Sequence, residues 1–298
     1  MLYRNLSGYF REKYGRRLTK ICIDAGFSCP NRDGTCGTGG CIFCSERGSG
    51  EHIEALSGVG EQVRRAIDRA SEDELFVAYF QNFSGTYAPT EVLKKRYDEA
   101  LISDRIKLLA IATRPDCIDE GVAELIAGYK KERDVWVELG LQTASDETAK
   151  IINRGYETAV FTRAVKILEK YGIPVVVHLI VGLPGEGLSE IKSTTEYIST
   201  LPVWGVKIHS IYVAKDTRLA EMYERGEYEP PTLDEYTESA VYILTHLSKD
   251  TVIHRLTGDA PKDSLLAPEW NKNKHAVIDA LTKYMSENKL SQGCFYKK

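Results

Sequence analysis

Short apolar runs alternate with stretches of helical periodicity along most of the chain. Each run has the length of a strand, and the stretches between the runs repeat their apolar residues at helical spacing. This alternation predicts repeated βα units and a parallel sheet. The predicted strands are residues 18–25, 75–82, 107–113, 135–141, 174–181 and 206–213.

Two of the intervening helices also carry start signals. The helix predicted at residues 90–101 opens on a Pro-Thr pair, and the helix predicted at residues 145–152 opens with Ser145 and has Glu147 in its first turn. Six βα units fit one curved sheet. The predicted architecture is therefore an α/β fold, a partial (β/α)6 barrel of the TIM type.

Ligands of parallel βα folds bind at the C-terminal ends of the strands, where loops from several strands converge. In this sequence polar and glycine-rich segments follow the predicted strands, which indicates a functional rim. They are a cysteine-rich loop, residues 81–86, 113–116, 142–143 and 182–186, and His209 with Ser210 near the end of the last strand.

Beyond residue 217 the pattern becomes mainly helical. Residues 234–247 and 272–287 are the clearest helices, with a short strand predicted at residues 251–256 between them. We expect residues 1–216 to form the barrel core with a basic N-terminal segment, and residues 217–298 to form an extension packed on the barrel.

Composition narrows the class of protein. The chain has 298 residues, 43% hydrophobic and 28% charged, with a formal net charge of -4, which is typical of a folded protein that is not coated in positive potential. Residues 1–20 lack the apolar core of a secretory signal, and nowhere do eighteen apolar residues run together. We expect a soluble, cytoplasmic protein that binds neither a membrane nor DNA.

Cysteines are crowded in the loop after the first predicted strand. Cys41 and Cys44 form a CxxC pair that can bring two soft thiolates onto one metal or cluster, Cys29 supplies a third thiolate, and nearby glycines let the backbone fold tightly. Seven cysteines in all, an odd number, do not suggest a secreted disulfide framework. Three ligands would leave one iron of a cubane cluster free for a further ligand.

A structural zinc site is the alternative for this loop. Cys36 would then join Cys29, Cys41 and Cys44, since four thiolates close a tetrahedral shell. Spacing alone leaves both possibilities open. The position of the loop favours the cluster, because a large parallel sheet needs no metal to fold.

The segment from Asp24 to Cys44 fits the pattern DAGFxCPNRDGxxGxGGCxFC. In this it resembles the radical-SAM superfamily, and most closely its YhcC/YtqA-like group, over nearly the whole chain. The resemblance implies that Cys29, Cys41 and Cys44 hold a [4Fe-4S] cluster whose free iron is chelated by S-adenosylmethionine. Cys36 falls at a variable position of the pattern and is left out of the ligand set.

The same resemblance implies further contacts to S-adenosylmethionine. Within residues 135–155, Glu138 and Gln142 would contact the ribose or the methionyl end, and Arg154 would pair with the carboxylate. Glu138 stands among apolar strand residues, where a carboxylate is costly unless it has a partner, and we therefore expect it to be functional. The other expected contacts, at the ends of other strands, are Asn82, Ser84, Thr113 and Gly182.

The implied reaction is reductive cleavage of S-adenosylmethionine to a 5′-deoxyadenosyl radical, which abstracts hydrogen from the substrate. A reductant protein such as flavodoxin or ferredoxin is the expected electron donor. No nucleophilic triad is visible in the sequence, so hydrolysis has no support. Residues that act on the substrate are not identified.

Kinship with the Elongator catalytic subunit suggests modification of tRNA at the wobble uridine. Nothing after the barrel is long enough for the acetyltransferase domain of Elongator, so we expect a different overall reaction. The first alternative is a radical-SAM enzyme acting on a small metabolite or porphyrin precursor, and the second is a zinc-stabilised, non-catalytic nucleic-acid-binding module.

A basic and aromatic N-terminal run could bind phosphates and stack on bases, although an amphipathic helix explains the same pattern. The run comprises Tyr3, Arg4, Tyr9, Phe10, Arg11, Lys13, Tyr14, Arg16, Arg17 and Lys20.

Overall fold

The computed structural model describes residues 2–46, 48, 58–260 and 263–297. Its main feature is a parallel sheet of seven strands in the order β1-β2-β3-β4-β5-β6-β8, curled into a half-barrel with β1 and β8 at its edges. The strands are β1 Leu18–Ile23, β2 Leu75–Phe80, β3 Ile106–Thr113, β4 Asp134–Gln142, β5 Val175–Val181, β6 Gly205–Ser210 and β8 Val252–Arg255. Two further strands, β7 Val213–Ala214 and β9 Leu265–Ala267, form a separate antiparallel pair.

Ten α-helices lie within the described residues, and most of them pack in the large core on the convex side of the sheet. They are α1 Leu6–Tyr14, α2 Val59–Asp68, α3 Thr90–Ala100, α4 Glu120–Tyr129, α5 Asp146–Ile151, α6 Thr158–Lys170, α7 Leu188–Ser199, α8 Arg218–Glu224, α9 Leu233–His246 and α10 Lys274–Glu287. Ser145 caps α5 as its sequence predicts, accepting a hydrogen bond from the backbone N–H of Thr148 at 3.1 Å.

The predicted α/β half-barrel is confirmed, with one strand more than expected. Strand β8 comes from the segment that we assigned to the C-terminal extension, yet it pairs in parallel with β6 in the same sheet. The predicted strand at 206–213 is two strands, because β7 leaves the barrel to pair with Leu265–Ala267.

Alternation along each strand divides the sheet into two faces. In β1, Ile21 and Ile23 join the large core beneath the helices, whereas Leu18 belongs to a smaller cluster on the inner face. By the same alternation Lys20 and Cys22 face the interior of the barrel. The interior therefore changes from apolar at the N-terminal ends of the strands to polar farther up.

Helix α1 closes the barrel at the N-terminal ends of the strands. Phe10 is 3% exposed and stacks on Trp136, with ring centroids 6.1 Å apart, and Leu6 packs in the same inner cluster. Tyr9 meets Trp204 edge to face at a centroid distance of 5.1 Å. The helix is thus a plug for the base of the barrel.

This position accounts for the aromatic residues of the run in which we predicted phosphate binding and base stacking. Tyr14 donates a hydrogen bond to Asp134 and Lys13 pairs with the same carboxylate, at the start of β4. Arg16 pairs with Asp73 just before β2. These contacts lie at the end of the barrel opposite the cysteine loop, and the amphipathic-helix interpretation fits the structure.

Within the described ranges, every helix is too short or too polar to cross a lipid bilayer.

The plug leads to a stability prediction. Replacing Phe10 with Ala should lower the free energy of unfolding by about 3–5 kcal/mol, because it leaves a cavity under Trp136 that the surrounding strands cannot fill. Urea denaturation measures the change. Phe295 is 52% exposed, so F295A is the matched control and should cost well under half as much. Equal losses for the two variants would contradict a plugged base.

Candidate active site

The cysteine loop is tied to the segment that follows α5. Asn31 donates through Nδ2 to the backbone oxygen of Asn153 at 2.6 Å, and Asn153 donates through Nδ2 to the backbone oxygen of Gly40 at 2.7 Å. The backbone N–H of Ile42 adds a bond to the oxygen of Ile152 at 3.1 Å. Asn31 is 1% exposed, so this crosslink is buried and holds the loop over the end of β4.

The thiols of Cys29, Cys41 and Cys44 lie half-buried on this loop. A hydrogen bond between the two CxxC thiols raises the pKa of Cys41 and lowers that of Cys44, and the nearby Arg32 guanidinium lowers the Cys44 pKa further. Asn31 Nδ2 is 3.9 Å from Cys41 Sγ. Donors and a cation thus surround soft ligands, as a thiolate-bound iron-sulfur cluster requires.

Cys36 has different surroundings. It is exposed, and its pKa is raised by partial burial and by Asp116 rather than by the other loop thiols. Across the described ranges, no three His, Cys, Asp or Glu side chains are grouped as they would be around a single metal ion.

Two expected contact residues, Asn82 and Ser84, present unsatisfied polar atoms beside this loop. Asn82 donates to Asp24 at 2.7 Å, but its Oδ1 is buried and has no hydrogen-bond partner in the described structure. Ser84 is fully buried, its Oγ also lacks a partner there, and its backbone N–H bonds to Ser28 next to Cys29 at 3.2 Å. Buried polar atoms of this kind are expected to meet a ligand or water.

Thr113 is engaged differently. Its hydroxyl hydrogen-bonds the hydroxyl of Thr86 at 2.7 Å, and Thr86 also donates to the backbone oxygen of Cys117 at 2.7 Å. Thr113 therefore joins the loops after β2 and β3 to each other.

Gln142 and Gly182 mark the ends of β4 and β5 with unusual backbone. Gln142 has φ of +63°, where the pairing of β4 with β5 shifts register. A left-handed non-glycine residue at a strand end is often part of a binding site. At Gly182, with φ of +96°, an added Cβ would lie 2.6 Å from Pro231, so only glycine fits.

Arg154 has partners other than the expected carboxylate of S-adenosylmethionine. It is 1% exposed, and its five N–H groups all bond to protein, which exhausts the donors of a guanidinium. Its acceptors are the backbone oxygens of Leu141, Thr143 and Tyr156 and the side chains of Asp146 and Thr158. Arg154 thus fixes the backbone around Gln142.

Arg114 and Tyr156 were not singled out from the sequence. Arg114 pairs with Asp116 through two bonds of 2.9 and 2.7 Å and donates to the backbone oxygen of Arg154 at 2.8 Å. The Tyr156 ring lies 4.8 Å from the Arg114 guanidinium and 4.5 Å from that of Arg154. The available sequence signal is the polar segment of residues 113–116, which predicts a rim loop but no role for Arg114.

Glu138 lies inside the barrel, four positions before the end of β4. Its carboxylate pairs with Lys207 and accepts bonds from Tyr79 at 2.8 Å, Trp136 at 3.0 Å and His178 at 2.8 Å. Burial opposes its charge, but Lys207 and His178 outweigh that and hold the Glu138 pKa well below its usual value. The partner that a buried carboxylate needs is therefore Lys207, which sequence reasoning missed although it is an isolated lysine in an apolar strand.

Comparison with family models identifies the superfamily. Residues 33–198 match the model of the Radical SAM superfamily, and residues 203–287 match the Radical_SAM C-terminal domain. The curled parallel sheet and a cysteine loop at its C-terminal rim define this class, and the chain belongs to the radical-SAM superfamily.

Individual relatives agree with this assignment. The chain is 35% identical to YtqA of Bacillus subtilis, over 99% of this chain and 93% of YtqA. It is 29% identical to the tRNA uridine(34) acetyltransferase of Methanocaldococcus infernus, over 64% of this chain and 35% of that protein. The structure of Methanocaldococcus infernus Elp3 superposes with a TM-score of 0.66 at 22% identity, over 78% of this chain and 59% of Elp3, which shows a shared fold.

The protein is therefore a radical-SAM enzyme, and its cofactors are a [4Fe-4S] cluster and S-adenosylmethionine.

The buried pair inside the barrel can be tested by a double-mutant cycle. E138Q or K207M alone should each lower the free energy of unfolding by about 3–5 kcal/mol, because each leaves a buried polar or charged partner uncompensated. The E138Q/K207M double variant should lose less than the sum. The exposed pair Lys94 and Asp98, treated in the same way, should show coupling near zero. Strict additivity at Glu138 and Lys207 in urea denaturation would contradict the pairing.

Proposed function

We propose that Cys29, Cys41 and Cys44 hold the [4Fe-4S] cluster and that S-adenosylmethionine lies across the C-terminal strand ends, in contact with Asn82, Ser84, Gln142 and Gly182. The observation that carries this proposal is the tethered loop of three thiols beside two buried, unsatisfied polar atoms. The donor set fits the cofactors, because soft thiolates suit iron and polar atoms suit ribose and amino-acid groups.

Two of the remaining predicted contacts support the residues that would touch the cofactors. Arg154 and Thr113 are positioning residues, since their hydrogen bonds hold the loops that carry Gln142 and Ser84. Glu138 lies deeper in the barrel, below the cofactors. When bound, the cluster and S-adenosylmethionine supply a 5′-deoxyadenosyl radical, and the chain orients the substrate toward it and excludes water. A flavodoxin or ferredoxin in the cytoplasm is the proposed electron donor.

The proposed substrate is tRNA at the wobble uridine. The support is the similarity to the tRNA uridine(34) acetyltransferase over 64% of this chain. The N-terminal run does not contribute to this argument, because its aromatic residues pack at the base of the barrel and Lys13 and Arg16 pair with carboxylates there.

The ligand set can be tested by single substitutions. C29A, C41A and C44A should each abolish the visible iron-sulfur absorbance after anaerobic reconstitution, whereas C36A should retain about four irons per chain and release 5′-deoxyadenosine on reduction with dithionite. Iron and sulfide assays and product chromatography measure both properties. Loss of metal in C36A, or stoichiometric zinc in colourless wild-type protein, would favour the zinc alternative.

The substrate can be tested in cells. Deleting the gene should alter the modified uridine at the wobble position in tRNA nucleoside profiles measured by mass spectrometry. Complementation with wild-type protein should restore the profile and C41A should not, which separates catalysis from mere presence of the chain. A profile identical to that of intact cells would remove tRNA as the substrate.

A further inference from the structure

The inner face of the barrel carries a layer of polar and charged side chains above the apolar base. Lys20 of β1, Tyr79 of β2, Glu138 of β4, and His178 and Lys207 of β5 and β6 occupy neighbouring positions. The proposed cofactor site lies above this layer, at the C-terminal ends of the same strands. A substrate in reach of both would enter the layer with its innermost part.

Two ammonium groups converge on one ring in this layer. Lys207 Nζ lies 4.5 Å from the centroid of the Tyr79 ring, and Lys20 Nζ lies 5.2 Å from the same centroid. Lys207 is paired with Glu138. Lys20 differs, because its ammonium group contacts the ring but forms no hydrogen bond or ion pair with the described residues.

The balance of charge leaves Lys20 under-compensated. The negative charge of Glu138 favours the charged form of Lys20, but its carboxylate is already bonded to Lys207 and His178. Asp259, the other carboxylate nearby, pairs with Arg255 at 3.5 Å and with Lys274. Lys20 is half-buried, and a cation-π contact compensates only part of what its ammonium group loses on leaving water.

The pKa shifts of the groups around Lys20 also indicate a shortage of negative charge in this layer. Burial, together with the charges of Lys20 and Arg255, lowers the pKa of Lys207 to about 7 against the raising effect of Glu138. Burial likewise lowers the pKa of Lys20 itself. His178, with its pKa lowered to about 4 by burial, is neutral at pH 7 and adds no positive charge.

A second polar group in the interior also lacks a partner. His209 follows Lys207 on the same face of β6, and its Nε2 is buried with no hydrogen-bond partner in the described ranges. Its ring lies 5.2 Å from that of His178. The interior thus offers a cation and an imidazole nitrogen that the protein leaves unused.

We infer that this layer is a subsite for an anionic group of the substrate, with Lys20 as the cation that selects it. The inference rests on the proposed function, because it places the inner part of the substrate beneath the cofactor site. The anionic group is a carboxylate on the base or a phosphate of the nucleotide. Either would give Lys20 the partner that the protein does not supply.

Binding of three small probes to reconstituted protein with S-adenosylmethionine tests the subsite. The probes are uridine, uridine-5-carboxylic acid and uridine 5′-monophosphate, compared by ligand-observed NMR at constant ionic strength. One of the two anions should bind at least tenfold more tightly than uridine, and the one that does so identifies the source of the negative charge. Equal binding of all three probes, or no binding of either anion, would overturn the inference.

Variants of Lys20 make the test specific. K20M should weaken the preferred anion about tenfold and leave uridine unchanged, whereas K20R should retain most of the preference. Lys170 pairs with Glu120 on the outer surface, so K170M is the matched control and should bind like wild type. An anion preference that persists in K20M would overturn the role of Lys20.

Stability separates this role from a structural one. Because Lys20 has no ion pair to lose, K20M should unfold at the same urea concentration as wild type or a higher one, while a structural lysine would cost stability. The test of anion binding and the cellular test of tRNA modification can succeed or fail separately. Anion binding through Lys20 with an unchanged tRNA profile would reject tRNA alone, and an altered profile without such binding would reject the subsite alone.

Discussion

A carboxylate in the middle of a parallel sheet remains ionised only where cations and hydrogen-bond donors converge on it, and Glu138 imposes this constraint on the barrel. Its partners Tyr79, His178 and Lys207 come from three other strands, β2, β5 and β6. The sheet must therefore curl until these strands face one another across the interior.

The polar layer around Glu138 separates the two ends of the barrel, which have different roles. Below it, Phe10 and Trp136 fill the base and α1 closes it. Above it, the loops after the strands are joined to one another by buried hydrogen bonds, such as those between Asn31 and Asn153 and between Arg114 and the backbone of Arg154. This framework can hold cofactors at fixed positions because the Nδ2 groups of Asn31 and Asn153 and the guanidiniums of Arg114 and Arg154 are bonded to protein acceptors.

Much of the sheet could be predicted from the sequence, because buried parallel strands appear as apolar runs and their C-terminal ends carry polar loops. The place of β8 in the sheet could not, since local periodicity does not say which strands pair. The same limit applies to the pair of Glu138 and Lys207, which are 69 positions apart in the chain. The sequence pointed to Glu138 alone, and only the fold shows that Lys207 is its partner.

Arg154 and the N-terminal run show a second limit. A charged residue near a predicted site suggests ligand binding, yet the structure gives Arg154 five protein acceptors and packs the aromatic residues of the run against the base. Residue type at a position does not reveal whether the side chain is already occupied. Atoms that remain unsatisfied, such as Asn82 Oδ1 and Ser84 Oγ, are the better indicators, and they require coordinates.

The central claim is that three thiolates at the rim hold a cluster above a charged interior. An anaerobic crystal structure of the reconstituted protein with S-adenosylmethionine, with anomalous scattering recorded at the iron edge, tests it most directly. The account predicts iron density bonded to Cys29, Cys41 and Cys44, with one iron bound by S-adenosylmethionine and the pair of Glu138 and Lys207 intact beneath. A single metal ion enclosed by these three cysteines together with Cys36 would contradict it.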